Sequence, residues 1–228
     1  EGVPHGDLIT LRMLLNHTSG LFSANEDEAV RERAAPLSLE EELAILRSRG
    51  AYACPGAAWR YSNSGYQLLG AVIEQVTGTP FHTAAQSLVL DHSRAEAIRV
   101  LSRDADLADV APSTGDGPFD MRGPQAAGGV VADASSMAVF LQDLLSGRIL
   151  EPSQVGLMTA TLYPMFEDPL WYGLGLMVFD VPGPEGQSIW VGHSGGVPGA
   201  KAVVAYEPTR GAIAAVALTG DGSAEPSA

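Results

Sequence analysis

The sequence contains a single cysteine, a single lysine and no long apolar segment, and each scarcity excludes a kind of site. Cys54 has no partner for an intrachain disulfide, and paired-cysteine metal sites are excluded for the same reason. We expect Cys54 to be a buried, inert thiol. Lys201 is preceded three positions earlier by Pro198 and followed by Ala202, so the chain has neither a Ser-x-x-Lys pair nor a Gly-Lys-Ser/Thr phosphate loop.

Basic residues are few as well. The 13 Lys and Arg residues stand against 27 Asp and Glu residues, and the resulting net charge of −14 argues against nucleic acid as a partner. The longest apolar run, 212–218, is too short to span a bilayer, so we expect no transmembrane segment. The histidines are scattered, so we expect no metal site and no cofactor, and a surface or capping role for the first four. The five histidines are, in chain order, His5, His17, His82, His92 and His193.

Helix signals dominate the first 150 residues. Thr10 and Asp133 are N-cap candidates before apolar runs, and Ser38 with Glu41 has the spacing of a capping box. A run of apolar residues at helical spacing ends at Gly78, which favours a well-formed helix there. Its apolar stripe consists of Leu69, Val72, Ile73 and Val76.

The residues after 150 show the sequence pattern of short β-strands. Runs at 173–181, 188–193, 200–206 and 211–219 are rich in β-forming residues, and Pro-Gly and Pro-Thr-Arg-Gly turns separate them. Short strands joined by tight turns favour antiparallel pairing. We therefore predict an α+β fold in one structural unit. It has a mainly helical region at 1–150, antiparallel strands at 151–220 and a frayed tail at 221–228.

The first candidate motif, Tyr-Ser-Asn-Ser-Gly-Tyr at 61–66, lies just before the best-signalled helix. The Tyr61 hydroxyl can act as a base only if a nearby cation lowers its pKa from about 10. The Asn63 side chain offers a donor and an acceptor that can hold a substrate amide. Taken alone, however, the residues favour a structural role, with Asn63 or Ser64 as a helix cap and Tyr61 as a packed aromatic.

The second candidate motif is the glycine-rich segment 191–199, which contains His193 and Ser194. It can be an ordinary hairpin with an exposed histidine, or an edge strand that presents backbone N–H groups to a carbonyl oxygen. Its Gly-x-Ser-x-Gly spacing also matches a nucleophile elbow, with Ser194 as nucleophile. That alternative lacks the required later histidine, and Pro198 and Gly199 would break the following helix. The segment also resembles the serine motif of trypsin-like proteases, but those proteases are all-β, whereas the first 150 residues here are patterned as helices.

Five segments in this order resemble the serine β-lactamase-related family of class C β-lactamases, DD-peptidases and related esterases. The resemblance implies an α+β fold in which a helical region accompanies an antiparallel sheet flanked by helices. It also implies a secreted or periplasmic protein, although the chain itself shows no compartment signal. The segments are 9–21, 55–78, Ala-Gly-Gly-Val-Val at 127–131, Tyr-Gly-Leu-Gly at 172–175 and His-Ser-Gly-Gly at 193–196.

The resemblance also implies a role for each candidate residue. Tyr61 would be the general base or proton relay, with its pKa lowered by the Ser-x-x-Lys lysine that this chain lacks and by a protonated His193. Asn63 would bind the acyl-side amide of the substrate. His193 would supply positive potential and shuttle protons.

The residues that follow His193 would bind the substrate. Ser194 would offer a hydroxyl to the leaving group, with Gly195 beside it, and the Gly196 N–H would form half of an oxyanion hole. An imidazole in place of the family's lysine anchors a carboxylate less firmly, so an esterase or amidase is as consistent with the sequence as a carboxypeptidase.

The chain departs from the family in lacking the Ser-x-x-Lys nucleophile, which would precede the segment that begins near Ile9. We expect an N-terminally truncated family member whose nucleophile lies outside this chain and which is inactive alone. Its partners would be a small-molecule or peptide substrate and the missing N-terminal portion of the same protein. The alternatives are a non-catalytic scaffold that keeps the cleft, or a hydrolase that uses Ser194.

Overall fold

The computed structural model describes residues 2–31, 33, 35–112, 119–166, 169–183 and 186–220. The tail at 221–228, for which fraying is predicted, lies outside the described residues. The chain divides into two compact units. Unit 1 comprises Glu1–Ala84, Val100–Asp106 and Gly117–Gly129, and unit 2 comprises Ala85–Arg99, Leu107–Asp116 and Val130–Ala228.

Short helices provide most of the regular secondary structure of unit 1, and their ends match the signals in the sequence. The Thr10 side chain accepts a hydrogen bond in the first turn of the first helix. Ser38 and Glu41 form the predicted capping box, and Gly78 ends the longest helix in a left-handed conformation. These predictions are confirmed. The helices are α1 (Leu11–Leu15), α2 (Glu28–Arg31), α3 (Leu39–Arg49) and α4 (Asn63–Thr77).

Helix α4 packs through its small residues. Gly65 and Gly70 are buried, whereas Val72 is 37% and Val76 is 80% exposed. A Cβ atom on Gly70 would lie 2.6 Å from the Cβ of Ala126, so the close approach of these two segments depends on glycine. Two residues of the apolar stripe that identifies the helix in the sequence are thus exposed, and the other two, Leu69 and Ile73, are half-buried.

Unit 2 contains a six-stranded antiparallel sheet whose strands follow each other in chain order, as the sequence predicts. One prediction is wrong in detail: the run at 173–181 is not a single strand. The chain turns at Gly175, which has φ of 74°, and a Cβ on Gly173 would lie 1.9 Å from the Met158 carbonyl oxygen. The strands are β3 (Tyr163–Pro164), β4 (Leu170–Tyr172), β5 (Met177–Gly183), β6 (Gly186–Val197), β7 (Ala200–Glu207) and β8 (Ala212–Thr219). They follow a two-stranded pair, β1 (Ile98–Val100) and β2 (Val130–Ala132).

A helix packs on this sheet and carries a buried carboxylate. Asp133 caps it as predicted, because its Oδ1 accepts the Ser136 N–H at 2.6 Å, and the helix contacts β7 and β8. Asp143 of this helix is fully buried and accepts hydrogen bonds from Arg94 N, Nε and Nη2 at 2.6, 2.9 and 2.6 Å. This helix is α6 (Ala134–Leu145), and the sequence does not predict its neighbours α5 (Phe81–Leu88) and α7 (Pro152–Thr159).

Two further expectations concern the surface. Cys54 is exposed, so the prediction of a buried thiol is wrong. It lies in the irregular segment between α3 and α4, where the chain stays at the surface. Among the described residues, no helix combines the length and apolar character needed to cross a membrane.

Candidate active site

The motif at 61–66 forms the entry to α4. Ser62 is the N-cap: its Oγ accepts the Gly65 N–H at 3.3 Å and donates to the Phe22 carbonyl at 3.1 Å. The prediction that Asn63 or Ser64 caps this helix is therefore wrong. Because Ser62 supplies the N-cap, the Asn63 side chain is not needed to cap the start of the helix. Asn63 is the first helical residue.

The segment that follows α1 holds Asn63 in place. The Asn63 N–H donates to Ser23 Oγ at 2.8 Å, and Asn63 Nδ2 donates to Asn25 Oδ1 at 3.2 Å. Ser23 Oγ in turn donates to the same Asn25 oxygen at 2.6 Å. These bonds fix both the backbone and the side-chain amide of Asn63, which is the preorganisation that recognition of a substrate amide requires.

A buried carboxylate supports the next residue of the motif. Ser64 is fully buried, and its Oγ accepts the Ala24 N–H at 2.9 Å and donates to Glu42 Oε1 at 2.5 Å. Burial raises the pKa of the Glu42 carboxyl, although the bond from Ser64 and the charge of Arg103 act in the opposite direction. Sequence reasoning missed Glu42, because a glutamate in the first turn of a helix is typical of a solvent-exposed position.

Tyr61 is partly buried, and its ring lies against the ring of His17 with centroids 4.0 Å apart. Burial raises the pKa of the Tyr61 hydroxyl, which is opposite to the lowering expected for a general base. The physical reason is that desolvation disfavours phenolate, and lowering its pKa requires a nearby cation. The family resemblance implies that this cation is the lysine of the Ser-x-x-Lys pair, and this chain lacks that pair.

Among the residues of this site, His17 differs most from its predicted environment. A surface or capping role is predicted, but its side chain is 1% exposed. Its Nδ1 accepts the Ser62 N–H at 3.1 Å, and its ring also contacts those of Trp59 and Tyr66, with centroids 6.1 and 5.2 Å away. The spacing of 45 positions between His17 and Ser62 leaves no local pattern from which this contact could be read.

In unit 2, the second motif lies within strand β6. His193 Nε2 is 3.3 Å from the hydroxyl of Tyr172, and the two rings are edge to face with centroids 5.8 Å apart. Burial lowers the pKa of His193, and a hydrogen bond that the imidazole donates to the Ser194 backbone only partly opposes this. The imidazole is therefore neutral at neutral pH, contrary to the positive potential expected of it.

Strand β6 is longer than its neighbour on one side. Its pairing with β5 ends at Gly192 opposite Met177, whereas residues 193–197 continue to pair with β7. Gly195 and Gly196 are exposed on this overhang, and a Cβ on Gly195 would meet no atom within 4 Å. An overhanging strand of this kind presents backbone groups along its open side, as an oxyanion-binding N–H requires.

The position of Ser194 contradicts the nucleophile elbow. Ser194 is paired with Val203 in mid-strand, and its Oγ lies 3.5 Å from the sulfur of Met177. An elbow requires a sharp turn from a strand into a helix. The glycine before the motif has a packing role instead, because a Cβ on Gly192 would lie 2.0 Å from the carbonyl oxygen of Val204.

Each unit thus holds one group of the predicted site residues. Unit 1 brings Tyr61 and Asn63 together with Ser62 at the start of α4, and unit 2 aligns His193, Ser194 and the two following glycines along β6. Within the described part of the chain, no group of three His, Cys, Asp or Glu side chains is placed to hold a metal ion.

Comparison with known proteins identifies the fold and the family. The family model described as Beta-lactamase matches residues 1–228. A crystal structure of a D-stereospecific amidohydrolase from Streptomyces sp. has a TM-score of 0.80 and 29% identity to this chain, and the match covers 97% of this chain and 72% of that one. The predicted α+β, β-lactamase/DD-peptidase-like fold is therefore confirmed.

Two relatives match by sequence over shorter regions. Penicillin-binding protein 4* of Bacillus subtilis (strain 168) is 38% identical over 82 residues, which is 32% of this chain and 17% of that protein. Esterase EstB of Burkholderia gladioli is 35% identical over 92 residues, which is 36% of this chain and 23% of that protein. The matched regions thus span less than a quarter of either relative. Because the family match extends over all 228 residues, the chain belongs to the Beta-lactamase family.

Proposed function

We propose that this chain supplies the proton-transfer and substrate-binding groups of a serine hydrolase, and that the attacking serine lies outside it. The reaction is acyl transfer from an amide, ester or β-lactam to water through an acyl-enzyme. The observation that carries the proposal is the fixed geometry of Tyr61 and Asn63. Asn63 donates hydrogen bonds to Ser23 and Asn25, and the Ser62 N–H between Tyr61 and Asn63 donates to His17.

In the proposed acylation step, the hydroxyl oxygen of the external serine attacks the substrate carbonyl carbon. The serine proton passes to Tyr61 and then to the leaving amine or alcohol as the carbon–nitrogen or carbon–oxygen bond breaks. Asn63 binds the amide on the acyl side of the substrate. A water molecule then hydrolyses the acyl-enzyme by the reverse proton path.

Strand β6 contributes the binding groups of unit 2. The Gly196 N–H stabilises the developing oxyanion, together with the N–H of the external serine, and Gly195 next to it lets the substrate approach the strand. Ser194 offers its hydroxyl to the leaving group. His193 takes part in proton transfer as a neutral imidazole, since burial lowers its pKa.

The raised pKa of Tyr61 makes the proposed function depend on the Ser-x-x-Lys segment outside this chain. A tyrosine whose pKa is raised by burial is a poor base at neutral pH. A lysine ammonium next to it would favour the phenolate and reverse this shift. We therefore propose that the upstream Ser-x-x-Lys segment completes the base as well as supplying the nucleophile, and that the 228-residue chain alone is inactive.

The proposed substrates are small amides or esters, including short peptides. A histidine whose pKa is lowered by burial holds a terminal carboxylate less firmly than a lysine would, so a substrate without that group is favoured. The similarity to an amidohydrolase and to an esterase supports the same class. A secreted or periplasmic location remains part of the proposal and follows from the family resemblance alone.

Covalent labelling tests the proposal. The 228-residue chain, and a longer product of the same gene that includes a Ser-x-x-Lys, are each treated with a fluorescent penicillin and a fluorophosphonate. We expect label only on the longer product, and slower labelling after Tyr61→Phe. Label on the short chain would contradict an external nucleophile, and its loss in Ser194→Ala would restore Ser194 to that role. Absence of any upstream Ser-x-x-Lys in the gene would support the scaffold alternative.

A further inference from the structure

We infer that His17 is a positioning residue that fixes the Tyr61–Asn63 segment by accepting a backbone hydrogen bond from the middle of it. The inference about geometry concerns unit 1 alone. Its consequence for catalysis rests on the proposed function, because it acts through Tyr61 and Asn63.

The first observation is the backbone conformation of His17. The residue has φ of 61°, in the left-handed region that glycine adopts freely and other residues uncommonly, with asparagine, aspartate and histidine the most frequent among them. It follows the C-cap residue Asn16 of α1, and the Thr18 N–H bonds to the Met13 carbonyl at 3.0 Å, which is the pattern of a Schellman motif. Glycine would serve this turn with less strain, so the side chain at this position has a purpose that the turn does not explain.

The second observation is the pair of bonds that His17 makes to the motif. Its carbonyl oxygen accepts the Arg60 N–H at 2.9 Å, and its Nδ1 accepts the Ser62 N–H at 3.1 Å. The backbone is therefore held on both sides of Tyr61. The Tyr61 ring lies against the imidazole at 4.0 Å with a 33° tilt, so the same residue also limits the rotation of the Tyr61 side chain.

These bonds specify the chemical form of the imidazole. Nδ1 can accept a hydrogen bond only when it carries no proton, so the neutral ring must have its proton on Nε2. The Ser62 N–H is also one of the donors at the start of α4 that has no partner within the helix. His17 thus satisfies this donor while Ser62 keeps its own hydroxyl for capping.

Nuclear magnetic resonance on the 228-residue chain tests the geometry without any activity. With ¹⁵N labelling, we expect Nδ1 of His17 to show the shift of an unprotonated ring nitrogen. We also expect a scalar coupling across the hydrogen bond between that nitrogen and the Ser62 amide nitrogen. A proton on Nδ1, or the absence of this coupling in a folded sample, would overturn the inference.

Kinetics of the longer, active product test the consequence with a matched pair of variants. His17→Asn and His17→Gly both tolerate a left-handed backbone and both lose the ring, but only asparagine keeps an acceptor near the position of Nδ1. We expect His17→Gly to lower kcat by on the order of 10²-fold with a smaller change in KM, because the reacting group is misplaced. We expect His17→Asn to recover most of that loss. Equal activity of the two variants would overturn the positioning role.

The outcome is separable from that of the proposed function. If Tyr61→Phe leaves kcat unchanged while the coupling to Ser62 is present, the proposed role of Tyr61 fails and the geometric inference stands. If Tyr61→Phe lowers kcat but His17→Gly does not, the proposed function stands and the inference about His17 fails.

Discussion

The hydroxyl of Tyr172 lies 3.3 Å from Nε2 of His193, across the end of strand β5. Tyr172 is buried and His193 is partly buried, and burial holds the pKa of the imidazole below its ordinary value. The pair therefore provides a hydrogen-bonded, neutral histidine at the point where β6 begins to extend past its neighbour.

The first prediction concerns the pH dependence that His193 gives to stability. A depressed pKa means that the unfolded chain binds more protons than the folded one near the ordinary histidine pKa of about 6.5, so stability falls as the pH drops through that value. We expect His193→Gln to flatten this part of the stability profile, measured by urea unfolding between about pH 5 and 8. In Tyr172→Phe the slope should persist, because burial rather than the hydroxyl is the cause. An unchanged slope in His193→Gln would contradict the prediction.

The second prediction concerns the buried Glu42. Burial raises its pKa, so the folded state binds more protons than the unfolded state above the ordinary value, and stability falls as the pH rises through that range. Glu42→Gln keeps an oxygen for the Ser64 hydroxyl and should remove this pH dependence without loss of stability at pH 7. Glu42→Leu leaves the Ser64 hydroxyl without that acceptor and should cost about 1–3 kcal/mol. Equal unfolding midpoints for the two variants would contradict the role of the hydrogen bond.

The third prediction uses two glycines of the same strand. A Cβ on Gly192 would lie 2.0 Å from the Val204 carbonyl oxygen and 2.6 Å from the Ala205 Cα, so Gly192→Ala must push β6 away from β7. We expect a loss of about 1–3 kcal/mol in thermal or urea unfolding. Gly195→Ala is the matched control, because its Cβ would enter open space, and should change stability by about 0.5 kcal/mol or less. Similar losses for both variants would mean that strand flexibility, not close approach, requires the glycines.

The fourth prediction concerns Asp143. Burial alone would raise the pKa of this carboxyl, but hydrogen bonds from Arg94 and Ser93 lower it overall. Its contribution to stability is thus present at neutral pH and is lost as the pH falls below the ordinary aspartate value of about 3.8. Asp143→Ala should cost about 3 kcal/mol at pH 7, since it removes the partner of several donors at once. The difference from the parent protein should shrink at acid pH, and a constant difference would contradict the ionic origin.

Local signals in the sequence determined what could be predicted of the fold. The caps at Thr10, Ser38 and Asp133 depend on side chains that bond within one helical turn, so a pattern four residues long is sufficient. The antiparallel sheet was predictable for a similar reason, because tight turns leave adjacent strands no other arrangement. Helices α5 and α7 were not predicted, because each is short and has a proline at its start, which in sequence resembles a turn. The proline precedes α5 and is the first residue of α7.

The candidate site shows where local reasoning stops. Its motifs were identified from the family resemblance, but the burial of His17 and Glu42 depends on contacts 45 and 22 positions away along the chain. The charge state of His193 was expected in the wrong direction for a related reason, whereas the lowered pKa expected for Tyr61 depends on a lysine that this chain lacks. A pKa depends on the balance between burial and neighbouring charge, and only the folded arrangement gives that balance.

The length of the β6 overhang limits the ligand that can use it. Among the described strands, residues 193–197 pair with β7 alone, and at about 3.3 Å per residue they offer roughly 16 Å of open backbone. An extended peptide can form main-chain hydrogen bonds over two or three of its own residues in that distance before it reaches the end of β5. If substrate binds along β6 as proposed, selectivity for anything longer has to come from side-chain contacts. Chemically varied substrates that share only a short amide or ester core would then bind this strand alike.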